Sequence, residues 1–249
     1  MYQITISAEG DRADWLYSVE EVIKNRLRDC IAVSAMGGHG RRIYCSFGCE
    51  PKSKSQMLSA IKEGVVETLG VVGKFEFIKN NLLLALPEQN YDLLLHTLVA
   101  FDRENERKLL NQIVCVEDNM ALDGIYNFKL RELKERWLEI CNLTRNNGMY
   151  LNDDETYNEL LRFLISAVNP KINKLTVCEN EGKFRLTGRL KNSNINIVAK
   201  SSSELMYYLV DFAPLELIID GGLSSSDLTK RLTGIFDAKT SAAGNKSKK

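Results

Sequence analysis

The sequence predicts an α+β protein in which two small mixed α/β modules flank a central pair of helices. Three observations carry this prediction. Apolar residues alternate in short runs near both ends of the chain, as half-buried strands require. Between these runs apolar residues recur at steps of three and four, which is the helical period. The two strongest helical patterns are adjacent, within residues 120–170, and 249 residues suffice for two modest cores.

The composition is that of an ordinary globular protein without a charge bias. Hydrophobic residues make up 44% of the chain and charged residues 27%, and 33 basic side chains balance 33 acidic ones. A balanced charge supplies no overall attraction to nucleic acid or anionic lipid, so either partner would need a local patch. Apolar runs stay short of the roughly 18 residues that cross a bilayer, and the start lacks a signal-peptide pattern. We therefore expect a cytoplasmic protein without membrane insertion.

The first predicted module is an α+β unit at residues 1–118. Alternation predicts strands at 2–7, 31–36 and 42–47, with a hairpin turn at 37–40. Helices are predicted at 11–29 and from about 53 to 69, the second ended by Gly70 and Gly73. The stretch 75–86 is ambiguous, because 74–78 suits a strand and 82–86 suits a buried helix equally well. A helix from 88 to 102 either bends through the polar stretch 102–108 or gives way to a second helix, and 114–116 suits a short strand.

The central helical pair is predicted at residues 119–170. Tyr126, Leu130, Leu133, Trp137 and Ile140 follow helical spacing, and Asn146-Asn147-Gly148 stops this helix. Asn152 or Asp153 caps the next helix, which ends before Pro170.

The second α+β module is predicted at residues 171–237. Strands are expected at 172–179, 183–189 and 194–200, separated by hairpin residues. Ser201–Ser203 cap a helix, residues 215–220 form a buried strand, and Ser224–Ser226 cap a last helix that runs to 236. Residues 238–249 are expected to be a disordered tail.

The glycine-rich turn at 37–42 is the most suggestive short motif. Backbone amides near Gly38 together with Arg41 and Arg42 could hold a phosphate or a nucleic-acid backbone. A phosphate loop normally leads into a helix, however, and this turn leads into a strand. A plain hairpin turn is therefore the favoured interpretation.

A second candidate lies at residues 221–226, between a predicted strand and a predicted helix. Gly222 and Ser224 stand where a helix amino terminus would face an anion. The segment lacks the lysine of a P-loop and the third glycine of a dinucleotide fingerprint, so a helix cap explains it more simply.

Other constellations favour structural roles over chemistry. The six cysteines include one close pair, Cys45 and Cys49, and the chain has two histidines, so four clustered zinc ligands are not expected. The acidic cluster around Asp153 suits the first turn of a helix, and the basic residues around Trp137 alternate with glutamates. A catalytic triad has no support in the spacing. We expect no catalytic residues, no metal and no cofactor.

The chain nevertheless resembles a known family over roughly its C-terminal half. The matching segments are LDGIYNFKLR at 122–131, ETYNELLRFL at 155–164, NPKI at 169–172 and LVDFAPLELII at 209–219. They resemble the sporulation protein YtxC family of endospore-forming Firmicutes. These motifs are structural, and the N-terminal third matches only in its general pattern. The resemblance implies a cytosolic, sporulation-associated protein of unknown biochemistry, and no functional residues carry over from it.

Two functions remain open at this point. The first is a non-enzymatic adaptor that acts through contacts with protein partners, with a homodimer as one option. The second is a nucleic-acid or nucleotide-binding module that uses the glycine- and arginine-rich turn. The adaptor is favoured, and an enzyme is the least supported class, because an acid, a base and a nucleophile cannot be assembled from the sequence.

Overall fold

A computed structural model describes residues 1–27, 32–190 and 193–241, and it confirms the α+β class. The chain forms two compact units, each built from separate segments. Unit 1 contains Met1–Leu82 and Arg103–Asn142, and unit 2 contains Leu83–Asp102 and Leu143–Lys249. This division differs from the predicted boundaries at 118 and 170. The two helices of the predicted central pair belong mainly to different units, so the pair does not form a module of its own.

The strands form two sheets, one in each unit. The first sheet has the order β2-β3-β1-β4 and the second has the order β7-β6-β5-β8-β9. The strands are β1 Tyr2–Glu9, β2 Ala32–His39, β3 Arg42–Cys49, β4 Asn119–Ala121, β5 Lys174–Asn180, β6 Lys183–Leu190, β7 Ser193–Ala199, β8 Glu216–Asp220 and β9 Lys239–Ser241.

The helices largely follow the predicted periodicity. They are α1 Ala13–Arg26, α2 Lys54–Thr68, α3 Lys74–Asn81, α4 Glu88–Ala100, α5 Arg103–Ile113, α6 Leu122–Gly124, α7 Arg131–Asn146, α8 Asp154–Ser166, α9 Ser202–Phe212 and α10 Ser226–Phe236. Two π-helical turns, Leu69–Gly73 and Ile125–Lys129, connect α2 to α3 and follow α6. Within the described residues, no helix is both long enough and apolar enough to cross a membrane.

Gly70 and Gly73 do not end α2, contrary to the prediction. The helix passes through them as the π-helical turn and continues into α3, so residues 74–78 are helical and not a strand. A Cβ atom at Gly70 would lie 3.1 Å from Leu110 Cδ1, and one at Gly73 would lie 3.3 Å from the Tyr126 ring. These glycines therefore allow other segments to pack closely against the helix.

The polar stretch at 102–108 begins a new helix. Phe101 is extended, with ψ 132°, and Asp102 has a positive φ of 56°, so the backbone turns sharply between α4 and α5. The short strand that was expected at 114–116 lies instead at β4, where Asn119–Ala121 pair in parallel with β1. The Asp118 carbonyl also accepts the Thr5 N–H at 2.8 Å, which starts this pairing.

A buried ion pair lies within the helical layer of unit 1. Lys74 on α3 is fully buried, and its ammonium group donates to the Glu106 carboxylate of α5 at 2.9 Å. The indole N–H of Trp137 on α7 donates to the second Glu106 oxygen at 2.8 Å. Glu106 is 2% exposed. One carboxylate therefore joins three helices, and each of its oxygens has a partner, as a buried charge requires.

The sheet of unit 2 is covered on one face only. Along β6 the burial alternates, with Phe184 and Leu186 buried and Arg185 and Thr187 exposed. Glu181 and Gly182 turn the β5–β6 hairpin with φ angles of 52° and 72°, which is the hairpin chemistry predicted there. Of the next predicted turn, Asn192-Ser193, Asn192 lies outside the described residues and Ser193 begins β7.

The predicted tail at 238–249 is wrong in its first part. Lys239–Ser241 form β9, which pairs in parallel with β8, and Ser241 Oγ donates to Asp220 Oδ1 at 3.1 Å. Residues 242–249 lie outside the described part of the chain.

We predict that Lys74→Met lowers the free energy of unfolding by about 3–5 kcal/mol, because it leaves the Glu106 carboxylate buried without its cation. Urea denaturation followed by tryptophan fluorescence measures this change, since Trp15 and Trp137 are the two tryptophans and both lie in unit 1. Arg131→Met is the matched control, because its pair with Glu135 is exposed.

The double variant Lys74→Met/Glu106→Gln should recover part of the loss, because an amide oxygen at position 106 still accepts the Trp137 N–H without a buried charge. A Lys74→Met protein as stable as the Arg131→Met control would refute a structural role for the pair.

Candidate functional site

The glycine-rich turn at 37–42 is a tight hairpin turn. Gly38 lies inside β2 and pairs with Ile43, and the strand continues to His39. Only Gly40 and Arg41 form the loop, with Gly40 at a φ of 61°. Since Gly38 belongs to a strand ladder, it is not part of a loop that could wrap around a phosphate.

Arg42 is held by groups of unit 1. Its guanidinium donates to both carboxylate oxygens of Asp123, at 2.7 and 3.3 Å, and to Ser7 Oγ at 3.1 Å. Asp123 is 7% exposed, and its hydrogen bond is the largest cause that raises the pKa of Arg42. Arg41 is exposed, and its carbonyl accepts the Gly10 N–H at 2.8 Å. Arg42 thus fastens the hairpin to the segment that begins α6, and Arg41 is the arginine of this turn that faces solvent.

The second candidate anion site, at Gly222 and Ser224, binds a carboxylate of the same chain. Gly221 and Gly222 have φ angles of 79° and 77°, which turn the backbone after β8. The Ser224 N–H and hydroxyl then donate to Glu179 at the end of β5, at 2.7 and 2.5 Å. The Ser224 hydroxyl is the main cause that lowers the pKa of Glu179. The loop is therefore suited to bind an anion, and Glu179 supplies one.

The acidic cluster and the cysteines have structural environments. Asp153 caps α8 by accepting the Thr156 N–H and hydroxyl, both at 2.9 Å, and the Thr156 N–H is the main cause that lowers the pKa of Asp153. Cys45 and Cys49 are both buried, and burial raises the pKa of the Cys45 thiol to about 12. Over the described residues, no three His, Cys, Asp or Glu side chains lie close enough to hold a metal. Cys30 lies outside those residues.

A cavity that is not among the sequence predictions lies at one edge of the unit 2 sheet. Strands β5 and β8 are parallel, and β6 is antiparallel to both β5 and β7, so β5, β7 and β8 end at the same edge. Helix α9 follows β7 and helix α10 follows β8, so both helices begin at this edge. Between them lies a cavity of about 490 Å³, which we call the carboxyl-edge crevice. Crevices outside the carboxyl ends of strands are common ligand sites in α/β sheets.

The carboxyl-edge crevice combines apolar walls with polar groups. Leu93, Phe184, Met206 and Leu228 supply apolar surface, while Ser201–Ser203 and Ser225 supply hydroxyls and first-turn backbone. Ser201 and Ser225 cap their helices by accepting the N–H groups of Glu204 and Leu228. The first two N–H groups of each helix have no acceptor inside the helix and carry its positive dipole end.

Arg231 and Tyr207 bring further polar groups to the carboxyl-edge crevice. Arg231 Nη2 donates to Asn90 Oδ1 at 3.1 Å, and its guanidinium lies 5.9 Å from the centre of the Tyr157 ring. The Tyr157 hydroxyl donates to the Asn90 carbonyl at 2.7 Å, so the two residues share this support. Tyr207 packs against His96 with ring centres 4.8 Å apart, and burial raises the pKa of Tyr207. Asp227 adds one negative charge to the lining.

The sequence contained a signal for the carboxyl-edge crevice. Two serine runs, 201–203 and 224–226, each follow a predicted strand and begin a helix. Each run by itself indicates only a helix cap. The strand order β7-β6-β5-β8 decides that the two serine runs lie at the same edge of the sheet. The sequence does not contain this information.

A second concave surface lies at the opposite edge of the same sheet, and we call it the amino-edge groove. Its volume is about 510 Å³, and it lies between the ends of α8 and α10 and the loop before β8. Its apolar lining includes Ile165, Val168, Pro170, Pro214, Leu215 and Phe236. Leu215 is 69% exposed, although it is a large apolar side chain.

Ion pairs border the amino-edge groove. Arg162 bonds to Asp237 at 2.5 Å, and Lys239 bonds to Glu216 at 3.3 Å. The groove thus has apolar surface inside and both signs of charge at its rim, which is the usual arrangement of a protein–protein interface.

Comparisons with known proteins identify no relative, since no family model, no curated protein and no solved structure matches the chain.

Arg42→Ala should lower the free energy of unfolding by roughly 1–3 kcal/mol, because Asp123 and Ser7 lose their donor in a half-buried position. Arg41→Ala, one residue away and exposed, should leave the stability nearly unchanged. Urea titrations with tryptophan fluorescence compare the two proteins under identical conditions. Equal stability of the two variants would show that the Arg42–Asp123 pair does not hold the hairpin.

Proposed function

We propose that this chain is a sporulation-associated cytoplasmic protein that acts, without catalysis, as a protein-interaction module. The amino-edge groove of unit 2 carries the interaction part of this proposal. The sporulation part is supported by the resemblance of segments 122–131, 155–164, 169–172 and 209–219 to the YtxC family. Three of the segments that support the resemblance also line the groove, which contains Arg162, Pro170 and Pro214.

The occupant that fits the amino-edge groove is a partner segment with an apolar centre and charged flanks. Leu215 and Pro214 present apolar surface that a partner would remove from water, at about 25 cal/mol per Å². Arg162, Asp237, Lys239 and Glu216 form exposed pairs that contribute little to stability by themselves. Such rim charges are free to exchange partners during binding, so they favour correct orientation more than they add affinity.

Leu215→Glu tests this proposal, because position 215 is exposed and a carboxylate there disturbs the groove without emptying a core. Leu83→Glu is the matched control, since Leu83 is 75% exposed, lies in the same unit and does not line the groove. We expect a protein captured from sporulating cells by the wild type and by Leu83→Glu, and at least about tenfold weaker binding of that purified protein to Leu215→Glu, which corresponds to about 1.4 kcal/mol.

Equal binding by all three proteins would exclude the amino-edge groove as the interface. A deletion strain with normal spore yield would remove the link to sporulation while leaving the interaction itself to be judged by the binding data.

A second candidate function is binding of a phosphorylated small molecule, such as a nucleotide, in the carboxyl-edge crevice. The observation that favours it is a cavity within the usual size range of small-molecule sites, roughly 300–1,000 Å³, with Arg231 in its lining. Apolar walls would contact a base or ring, and Arg231 with the first-turn amides of α9 and α10 would contact a phosphate. The turn at 37–42 supports this function less, because Arg42 is paired with Asp123.

Calorimetric titration with inorganic phosphate, AMP and ATP tests the second candidate. We expect binding to the wild type that is weakened at least about tenfold by Ser203→Glu, which places a negative charge in the carboxyl-edge crevice. Arg231→Gln should weaken phosphate binding similarly, while Arg185→Gln on the uncovered sheet face should not. An absence of heat with all three ligands, or equal affinities of the Ser203→Glu and wild-type proteins, would overturn this candidate.

A further inference from the structure

The two edges of the unit 1 sheet are protected very differently. One edge is β4, which has three residues, and a strand so short offers little backbone to another chain. The other edge is β2, which has eight residues. Its only strand neighbour among the described residues is β3. A long edge strand is a template for another strand unless charge, proline or a bulge blocks it.

Strand β2 carries none of the usual blocking residues. Its sequence is AVSAMGGH, without lysine, arginine, aspartate, glutamate or proline. Its pairing with β3 is continuous from Ala32↔Cys49 to His39↔Arg42, one residue against one, so it contains no bulge. Val33 is 62% exposed, and Ala35 and Gly37 are also exposed. Over its described residues the edge strand is therefore regular and has exposed positions, and its own side chains carry no carboxylate, lysine or arginine. The Glu20 carboxylate, which accepts the Ser34 hydroxyl at 2.7 Å, lies on the other face of the sheet.

The turn of the β2–β3 hairpin determines which backbone groups face outward. Gly40 and Arg41 form a two-residue loop, so His39 and Arg42 flank it as a hydrogen-bonded pair. Hydrogen-bonded pairs then alternate with non-hydrogen-bonded pairs along the ladder. The N–H and C=O groups of Val33, Ala35 and Gly37 therefore form hydrogen bonds to β3. The N–H and C=O groups of Ser34, Met36 and Gly38 point away from β3, toward the free edge.

The sheet face next to this edge is also free of charge over most of its area. Beside Val33, Ala35 and Gly37 the outer-face residues of β3 and β1 are uncharged, and Thr5 Oγ1 and Ser46 Oγ hydrogen bond to each other at 2.9 Å. The charged residues of this face on β1 and β3, Glu9 and Arg42, lie at its hairpin end. The register places the following uncharged residues on that face: Gln3, Thr5, Tyr44, Ser46 and Gly48. A strand that pairs with the edge of β2 would therefore bury no charged side chain among these outer-face residues.

We propose that β2 pairs antiparallel with β2 of a second copy of this chain, which joins two unit 1 sheets into one sheet of eight strands. This inference rests on the proposed function as an interaction module and extends it, because it names a second copy of the chain as one of the partners. A two-fold axis perpendicular to the sheet keeps equivalent faces together, so residues of the same face oppose one another.

With the axis at Ala35, Val33 lies opposite Gly37 of the second copy, and Ser34 lies opposite Met36. With the axis at Met36, Ala35 lies opposite Gly37. The residue on the axis, Ala35 or Met36, lies opposite its own copy, and the other opposed side chains named here differ in size. None of these pairs brings like charges together, so neither register meets a charge repulsion.

The same reasoning favours β2 over the long edge strand of unit 2. Strand β7, SNINIVA, is also uncharged, but its neighbour β6 places Arg185 and Arg189 on the uncovered face. Two copies joined through β7 would bring these arginines of β6 closer together, and β6 has no acidic residue to offset their charge. Strand β2 has no such neighbour until Arg42, which is paired with Asp123.

Sedimentation equilibrium of the full chain tests this proposal through substitutions at Ala35. Lysine at an exposed edge position is the usual natural block to strand addition. We expect the wild type to dimerise, and both Ala35→Lys and Ala35→Glu to weaken dimerisation at least about tenfold, since like charges then face each other near the axis. Gln3→Lys is the matched control, because it adds the same charge to the same face on β1, two strands from the edge, and it should dimerise as the wild type does.

Mixing the Ala35→Lys and Ala35→Glu proteins provides the decisive measurement. Opposite charges would then meet across the axis, so the mixture should form a heterodimer although neither variant dimerises alone. A wild type that stays monomeric at every concentration, an Ala35→Lys protein that dimerises like the wild type, or a mixture that stays monomeric would overturn the proposal. Circular dichroism of each variant confirms that the fold is retained.

These outcomes are separable from those of the proposed function. A monomeric wild type that still captures a partner through the amino-edge groove refutes self-pairing and leaves the interaction module in place. A dimer that captures no partner refutes the groove as an interface and leaves self-pairing in place.

Discussion

The Glu106 carboxylate is the constraint on which the helical layer of unit 1 depends. A charge with 2% exposure can remain ionised only if a cation and hydrogen-bond donors surround it, and Lys74 and Trp137 meet both requirements. Because these partners come from α3 and α7, the three helices have to meet at one point. Buried ion pairs add little stability compared with apolar packing, but they penalise any arrangement that separates the partners.

Around this point the packing of unit 1 explains the unusual course of its helices. The π-helical turn at Leu69–Gly73 lies directly before Lys74, and its two glycines pack against Leu110 and Tyr126. Tyr126 in turn lies in the second π-helical turn, and its ring packs edge-on against Trp15 at 5.0 Å. The two π-helical turns therefore occur where helices pack closely and where the buried ion pair lies. Single π-helical turns within α-helices often mark such special positions.

Unit 2 is built differently. Helices cover one face of its sheet, and each of the two edges where its strands begin and end carries a concave surface. The helices cover one face, so the strands alternate between buried and exposed side chains. At the carboxyl edge two helices begin beside a polar cavity, and at the amino edge helices end beside an apolar groove. Anions favour helix amino termini, whereas exposed apolar surface favours protein contacts, so the two edges suit different classes of ligand. In each unit, one of the groups that suggested an anion site binds a partner within the chain, Arg42 in unit 1 and Ser224 in unit 2.

The sequence by itself determined the local elements. Period-two and period-3.6 patterns located most strands and helices, and Glu181-Gly182 marked a hairpin. A cap at Asn152 or Asp153 and another within Ser201–Ser203 were recognisable, and the structure has Asp153 and Ser201 in these positions. Each of these signals acts over a few neighbouring residues. Tertiary structure alone decided the roles of Gly70 and Gly73, since a glycine before close packing looks like a glycine that ends a helix. It also decided that Asp123 holds Arg42, that Glu106 meets Lys74 from 32 positions away, and that two serine runs share one crevice. Those contacts join residues that are far apart in the chain. Periodic patterns report only on neighbouring residues, so they could not predict which distant residues would meet.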